Sequence, residues 1–385
     1  MGPARGSNVS PLFCLQPRYM YRFLRPLLFR LSPERAHAVS LWGAEVLQRT
    51  APSSLGSRYQ LQDERLKQRL WGHTFPNPVG LAAGADKNGR AVPFWEALGF
   101  GFVEVGSVSA RPSAGNPRPR AFRLPEDNAL INRLGLNNDG AEAVAERLEH
   151  SRPDRDRPLG INIAKTHAPD IMGEAALADF RTSFRTLVSV ADYVTLNVSC
   201  PNTPDGGTFE DPEALDALLR TIADEQDVPG LTIPVLIKLS PPVSDQVLFD
   251  THLEEVLAVA TAHEVDGFIA SNTAPDRTEL RTPPERLAEI GDGGLSGPPL
   301  AARSTCLVRY LYRATDGAIP IIGVGGVRDA DSAYAKIQAG ASLVQLYTAL
   351  VYEGPSLVRD IKQGLVDRLK EEGHASIADA VGTAT

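Results

Sequence analysis

Residues 197–202 read Asn-Val-Ser-Cys-Pro-Asn and close the apolar run Asp192-Tyr-Val-Thr-Leu196. A carboxamide carries two donors and an acceptor, so Asn197 and Asn202 together suit a planar, amide-like ligand. Cys200 between them is a nucleophile, a base or a packing residue. A thiol at a strand end is better placed for proton transfer or nucleophilic attack than Cys306, which falls in a helix-like stretch and reads as core filler.

Side chains so far apart in sequence need a scaffold that gathers them. From residue 78 apolar runs of strand length recur at 78–84, 101–108, 159–165, 193–199, 234–240, 267–273, 320–326 and 343–350. Near-continuous apolarity is what parallel strands covered on both faces require. Helix-like stretches lie between them at 140–150, 177–190, 212–226, 243–263, 300–315 and 331–340. A short one stands near 91–98, and another, at 356–372, follows the last run. Eight strand–helix alternations predict an α/β fold: a closed (β/α)8 TIM barrel preceded by an N-terminal helical extension.

Such a barrel carries its chemistry at the C-terminal ends of its strands. Gly84-Ala-Asp-Lys-Asn88 follows the first run, and Ser107 stands near the end of the second. Asn162 and Lys165 belong to the third, Asn197, Cys200 and Asn202 to the fourth, Lys238 to the fifth, and Ser271-Asn-Thr273 to the sixth. The seventh ends in Gly323, Gly325 and Gly326, and the eighth in Tyr347 and Thr348. Taken singly, an asparagine here is a turn former or a satisfied buried amide, and a lysine a solvated strand-end charge. Three lysines and several asparagines at one mouth exceed what a scaffold needs.

The seventh-strand glycines, with Gly294-Leu-Ser-Gly297, let backbone N–H groups approach a ligand closely, as at the usual barrel phosphate site. Val324-Gly-Gly-Val327 alone would be no more than a tight strand exit. A flavin mononucleotide suits this mouth, with a lysine near its N1/O2 edge and carboxamides at its pyrimidine edge. A sugar phosphate is the alternative.

The 385-residue chain is 43% hydrophobic and 22% charged, which allows a sizeable core. A net charge of −8 argues against a nucleic-acid footprint. Its three cysteines show neither a disulfide framework nor zinc spacing, so no metal is expected. Residues 1–19 are expected to form a disordered extension, with Met20 an alternative start. In residues 20–56, Tyr21–Arg30 interleaves apolar groups with Arg22, Arg25 and Arg30, and Ser32-Pro-Glu34 opens a helix. That helix spaces Ala36, Val39, Trp42, Val46 and Leu47 near a helical stripe, and 51–56 reads as a linker. The pair suits a membrane surface or a cap on the domain; pattern alone favours the cap.

Several long motifs stand in order: Gly80-Leu-Ala-Ala-Gly-Ala-Asp-Lys-Asn-Gly89, Gly115-Asn-Pro-Arg-Pro-Arg120, Ile131-Asn-Arg-Leu-Gly-Leu-Asn-Asn138, Asn197–Asn202, Gly293-Gly-Leu-Ser-Gly297, Ile321-Ile-Gly-Val-Gly-Gly326 and Gln345-Leu-Tyr-Thr348. With them the chain from about residue 20 resembles the dihydroorotate dehydrogenases, flavin enzymes of pyrimidine synthesis. The resemblance implies FMN contacts at Ala83, Gly84, Ala85, Asp86, Lys87, Ser107, Asn162, Asn197, Lys238, Ser271, Gly297, Gly326, Tyr347 and Thr348. It implies contacts to dihydroorotate or its product orotate at Lys87, Asn132, Arg133, Leu134, Gly135, Leu136, Asn197, Asn202, Asn272 and Thr273. In the family's reaction a base removes a proton from C5 and a hydride passes from C6 to the flavin; Cys200 stands at the base position.

Two features of the resemblance point in different directions. The segment before the barrel resembles the membrane-associated, quinone-reducing branch, whose base is usually serine, whereas cysteine is typical of the soluble branch. The N-terminal segment and Gly115–Arg120 span many residues and Cys200 is one substitution, so a membrane quinone is the expected oxidant. A soluble enzyme using fumarate or NAD is the alternative. A thiol, with a pKa near about 8.5, loses its proton more readily than a serine hydroxyl. The implied plan is a helical membrane and quinone segment over 20–56, with His37 and Arg120 lining a quinone tunnel, and an FMN-binding barrel over 57–385. The implied location is the cytoplasmic side of the cell membrane, peripherally bound; oligomeric state is left open.

Overall fold

The computed structural model describes residues 17–50, 52–151, 155–199, 209–228, 231–242 and 251–385. Three helices come first: α1 (Pro17–Arg30), α2 (Pro33–Thr50) and α3 (Pro52–Tyr59). The hairpin β1 (Gln68–Leu70) and β2 (His73–Phe75) leads into the barrel, followed by β3 (Val79–Leu81), α4 (Val92–Ala97) and β4 (Phe102–Val108). A loop excursion forms β5 (Ala121–Leu124) and β6 (Ala129–Asn132). The alternation then runs α5 (Ala141–Ser151), β7 (Leu159–Ile163), α6 (Glu174–Leu187), β8 (Tyr193–Asn197), α7 (Pro212–Gln226), β9 (Val235–Leu239), α8 (Thr251–Ala262) and β10 (Gly267–Ala270). It ends with α9 (Pro284–Ile290), β11 (Gly294–Ser296), α10 (Ala301–Ala314), β12 (Ile321–Val324), α11 (Ala330–Gln338), β13 (Leu343–Leu346), α12 (Thr348–Glu353) and α13 (Leu357–Glu372).

Strands β3, β4, β7, β8, β9, β10, β12 and β13 pair in parallel, in chain order, and close on themselves. This is the expected (β/α)8 barrel. Its strands are buried on both faces, the outer against the helices and the inner against each other. The inner floor is apolar: Phe75, Phe102, Tyr193, Leu236, Ile269, Ile322 and Leu343 form one cluster. Trp71 and Phe75 of the hairpin plug it, with ring centroids 5.7 Å from Tyr193 and 5.4 Å from Phe102. Room for Tyr193 comes from Gly160, where any side chain would run into the Tyr193 ring. Local signals hold the helices in register. Asp211 caps α7 through the amides of Glu213 and Ala214, and Asp329 and Ser332 form a capping box at α11.

Above the barrel, β5, β6 and β11 make a small antiparallel sheet that fixes Asn132 opposite Gly294. The N-terminal helices pack beside it. Tyr21 donates to the Val351 carbonyl at 2.7 Å and Arg25 to that of Tyr352 at 3.0 Å, docking α1 on α12. Arg123 donates to the Leu31 carbonyl at 2.9 Å and stacks over Phe29 at 4.5 Å.

Some boundaries differ from the sequence reading. Helix α1 begins at Pro17, before residue 20, and the stretch read as a linker belongs to α3, whose Pro52 suits a first helical turn. The run 343–350 divides into β13 and α12, because the chain turns out of extended geometry at Tyr347. Of the α2 stripe only Ala36 is buried, and the helix packs through Leu41 and Ala44 instead, both against Ala91. Val39, Trp42, Val46 and Leu47 are exposed. With Phe23, Leu24, Leu27 and Leu31 they account for eight of the ten exposed large apolar residues among those described.

Candidate active site

The strand ends bring the expected polar residues into one hydrogen-bonded mouth. Asn162, on β7, donates its Nδ2 to Glu104 at 3.0 Å and accepts the Ser107 hydroxyl on Oδ1. Ser107 in turn accepts from Asn197 Nδ2 at 2.8 Å. Asn272 Nδ2 lies 3.4 Å from Asn197 Oδ1 and donates to Ser199 Oγ at 3.0 Å and the Ser199 carbonyl at 3.1 Å. The Thr273 amide donates to Asn272 Oδ1 at 2.9 Å. Lys238 stands beside Asn197 in the β8–β9 register and is buried. Ser271, also buried, donates its amide to the Val324 carbonyl at 2.9 Å, tying the sixth strand end to the seventh. Cys200 and Asn202 lie outside the described residues.

Around the rest of the mouth the backbone turns sharply. Gly84, at φ +99°, donates its N–H to the Gly106 carbonyl at 2.7 Å, fixing the loop of Ala83 and Ala85 beside β4. Gly326, at φ +75°, packs so closely on α10 that a side chain would come within 2.6 Å of Ala301 Cα and 2.8 Å of its nitrogen. An L residue there would be both strained and in collision. Nearby, Ser296 and Thr348 share a hydrogen bond at 2.8 Å, beside Gly297. Tyr347 is half-buried, and its phenol is pushed up to about 12 by the loss of water around it. Backbone amides free of side-chain bulk, hydroxyls and a buried lysine form a donor set that fits a phosphorylated, amide-edged ring such as a flavin mononucleotide.

Other expected residues have partners of their own. The Asp86 carboxylate is fully buried and accepts from the amides of Arg90 and Ala91 and from the Trp95 indole, so it shapes the turn into α4. Arg133 points to the carbonyls of Ile290 and Asp292 and stacks on Phe122, holding β6 to the α9–β11 loop. Asn132 bonds the Gly294 carbonyl at 3.4 Å, and the Leu134 carbonyl accepts the Asn116 amide, placing Gly135 and Leu136 on the turn behind. Lys87 donates to Asn137 Oδ1 at 2.7 Å. Asn137 was therefore missed, although it sits within the quoted 131–138 motif; a doubled asparagine after a glycine turn was the available signal. Cys306 is half-buried on α10 rather than core filler.

Two residues of the N-terminal segment and its flank reach this region. His37 Nε2 lies 2.8 Å from the Ala85 carbonyl, its ring 6.5 Å from that of Tyr347. Arg120 pairs with Glu34 at 2.9 Å and donates to the Ala114 and Asn116 carbonyls. Among the described residues there is no cluster able to hold a metal ion, and no helix long and apolar enough to cross a membrane.

Fold and mouth together define a (β/α)8-barrel enzyme whose site is lined by amides, hydroxyls, lysine and glycine. Comparison with known proteins makes this specific: the dihydroorotate dehydrogenase family matches residues 65–369. The chain is 44% identical over 366 residues to a dihydroorotate dehydrogenase (quinone) of Natronomonas pharaonis, covering 94% of this chain and 99% of that one. It is 45% identical over 361 residues to one of Chloroflexus aurantiacus, covering 91% and 97%. The crystal structure of an Eimeria tenella DHODH with ferulenol superposes with a TM-score of 0.81 at 34% identity, covering 92% of this chain and 98% of that one. The chain belongs to the dihydroorotate dehydrogenase family, which is a family of flavoenzymes. These relatives favour the quinone-reducing branch over the fumarate- or NAD-using alternative.

Proposed function

We propose that this protein oxidises (S)-dihydroorotate to orotate, with FMN in the barrel mouth and a membrane quinone as final oxidant. One observation carries the reading: the Asn197 carboxamide touches both Ser107 and Asn272, so a single side chain would join a flavin wall to a substrate wall. Asn197, Asn272 and Thr273 would grip the ureide edge of the substrate, and Lys87 with Asn137 the carboxylate end. Gly297, Gly326 and Thr348 would hold the phosphate, and Lys238 the N1/O2 edge of the ring. Bound FMN would supply the acceptor for the hydride leaving C6. Cys200, next to Ser199 in the chain, would take the proton from C5.

His37 and Arg120 would line the route by which quinone reaches the ring. The exposed apolar face of α1 and α2 supports peripheral attachment to a membrane, in whose interior a quinone dissolves; the cytoplasmic side of the cell membrane is the location proposed. Purified protein is expected to be yellow, to bleach anaerobically with dihydroorotate and to regain colour with a quinone analogue. Recovery with fumarate or NAD instead would overturn the oxidant; a colourless protein that takes up no added FMN would overturn the whole reading.

A further inference from the structure

Below the mouth, and fully buried inside the barrel, is a carboxylate to which the reaction assigns no role. Glu104, on β4, receives Asn162 Nδ2 at 3.0 Å, Gln345 Nε2 at 2.8 Å and the Tyr193 hydroxyl at 3.3 Å. Three donors from three other strands converge on it, so it acts as an acceptor toward all of them. Burial, and then the Glu104 charge, drive the Tyr193 phenol up, which keeps it a donor.

An acceptor at this depth dictates the next three links above it. Asn162 must turn its NH2 down to Glu104, which leaves its oxygen facing Ser107. Ser107 must then donate upward to Asn162 and accept from Asn197 Nδ2. Asn197 consequently presents its oxygen toward Asn272, whose own oxygen holds the Thr273 amide. From Glu104 to Asn197 the chain has one direction, and three side chains inherit it; Asn272 is held in the matching sense by the Ser199 carbonyl and the Thr273 amide.

We infer that Glu104 is a positioning residue: its carboxylate sets the direction of the Asn162–Ser107–Asn197 chain, and with it which amide edge Asn197 shows to the substrate. This rests on the proposed function for the identity of the ligand. A glutamine at 104 can donate as well as accept, so it no longer forbids the reversed chain. The pair Glu104→Gln with Gln345→Glu moves the carboxylate to the neighbouring strand, where it takes the amide of the new glutamine and leaves that glutamine's oxygen to accept from Asn162.

The test is orotate binding to flavin-loaded protein, read from the perturbation of the flavin absorbance. Wild type must first bind FMN and orotate; failure there overturns the proposed function rather than this inference. Glu104→Gln is expected to raise the orotate Kd about tenfold, the size of one misdirected hydrogen bond. Adding Gln345→Glu is expected to bring it back to within about threefold of wild type. An unchanged Kd in Glu104→Gln, or a double variant no better than the single, overturns the inference. If Glu104→Gln does not fold, the double variant decides alone: near-native orotate binding supports the inference, and weak binding overturns it.

Discussion

His37 on α2 sets its Nε2 2.8 Å from the main-chain oxygen of Ala85, the residue after Gly84 at the barrel mouth. The helical segment is thus bonded to the very turn that borders the proposed flavin site. His37→Ala removes this hydrogen bond and the ring beside Tyr347 while leaving the substrate wall intact. Quinone turnover is expected to fall about tenfold, in line with one lost buried hydrogen bond. Stopped-flow reduction of the flavin by dihydroorotate should be unaffected; equal loss in both half-reactions would make His37 a residue of the fold alone.

Cys200→Ala is expected to slow flavin reduction by dihydroorotate roughly 100- to 10,000-fold, the usual loss of a general base. The wild-type rate should climb with pH toward the thiol range near about 8.5, because only the thiolate accepts a proton. Cys200→Ser should keep part of the activity and move the rise to higher pH. Near-normal rates in the alanine variant would remove Cys200 from the mechanism.

Phe23 on α1 and Trp42 on α2 are 72% and 63% exposed, unusual for such large apolar groups. Burying each in a lipid interface is worth about 1.5–3 kcal/mol, so changing both to Glu should weaken vesicle binding by roughly 100-fold or more. Co-sedimentation with mixed zwitterionic and anionic phospholipid vesicles measures this. Turnover with a short, water-soluble quinone analogue should be preserved. Unaltered sedimentation would show that this face does not meet the membrane.

Lys336 on α11 is almost fully buried, with its ammonium near the hydroxyls of Ser304 and Thr305, and burial lowers its pKa to about 7. The unfolded chain keeps that proton up to about 10.4, so between these values the unfolded state binds more protons and the site's contribution to stability rises with pH. Below about 7 both states are protonated and the full desolvation cost remains. Lys336→Met abolishes this dependence. The melting temperature of the wild type relative to the variant should therefore rise from pH 7 to pH 9.5; a constant difference would refute the buried charge.

The barrel was legible because each strand must be apolar on both faces, and eight such runs separated by helical stretches leave few alternatives. Ser107, Asn162, Asn197 and Asn272 were legible as strand-end residues for the same reason. Glu104 was not: in the run Phe102-Val-Glu-Val-Gly106 it looks like an exception within a buried strand, and only closure of the barrel brings Asn162, Tyr193 and Gln345 to it. The α2 stripe was visible as a period, but the face that meets protein is the one with Leu41 and Ala44, chosen by where Ala91 and Trp95 stand.

Sequence by itself determined the kinds of groups at the mouth, the order of the strands that carry them, and the thiol at position 200. Those follow from local composition and period, which a chain expresses before it folds. Tertiary structure decided the partners: Asp86 to the α4 turn, Arg133 to the α9–β11 loop, Lys87 to Asn137, and His37 to the Ala85 carbonyl. Hydrogen-bond direction is a property of pairs, and these pairs join residues as far apart as Arg133 and Asp292, so only the closed barrel could assign them.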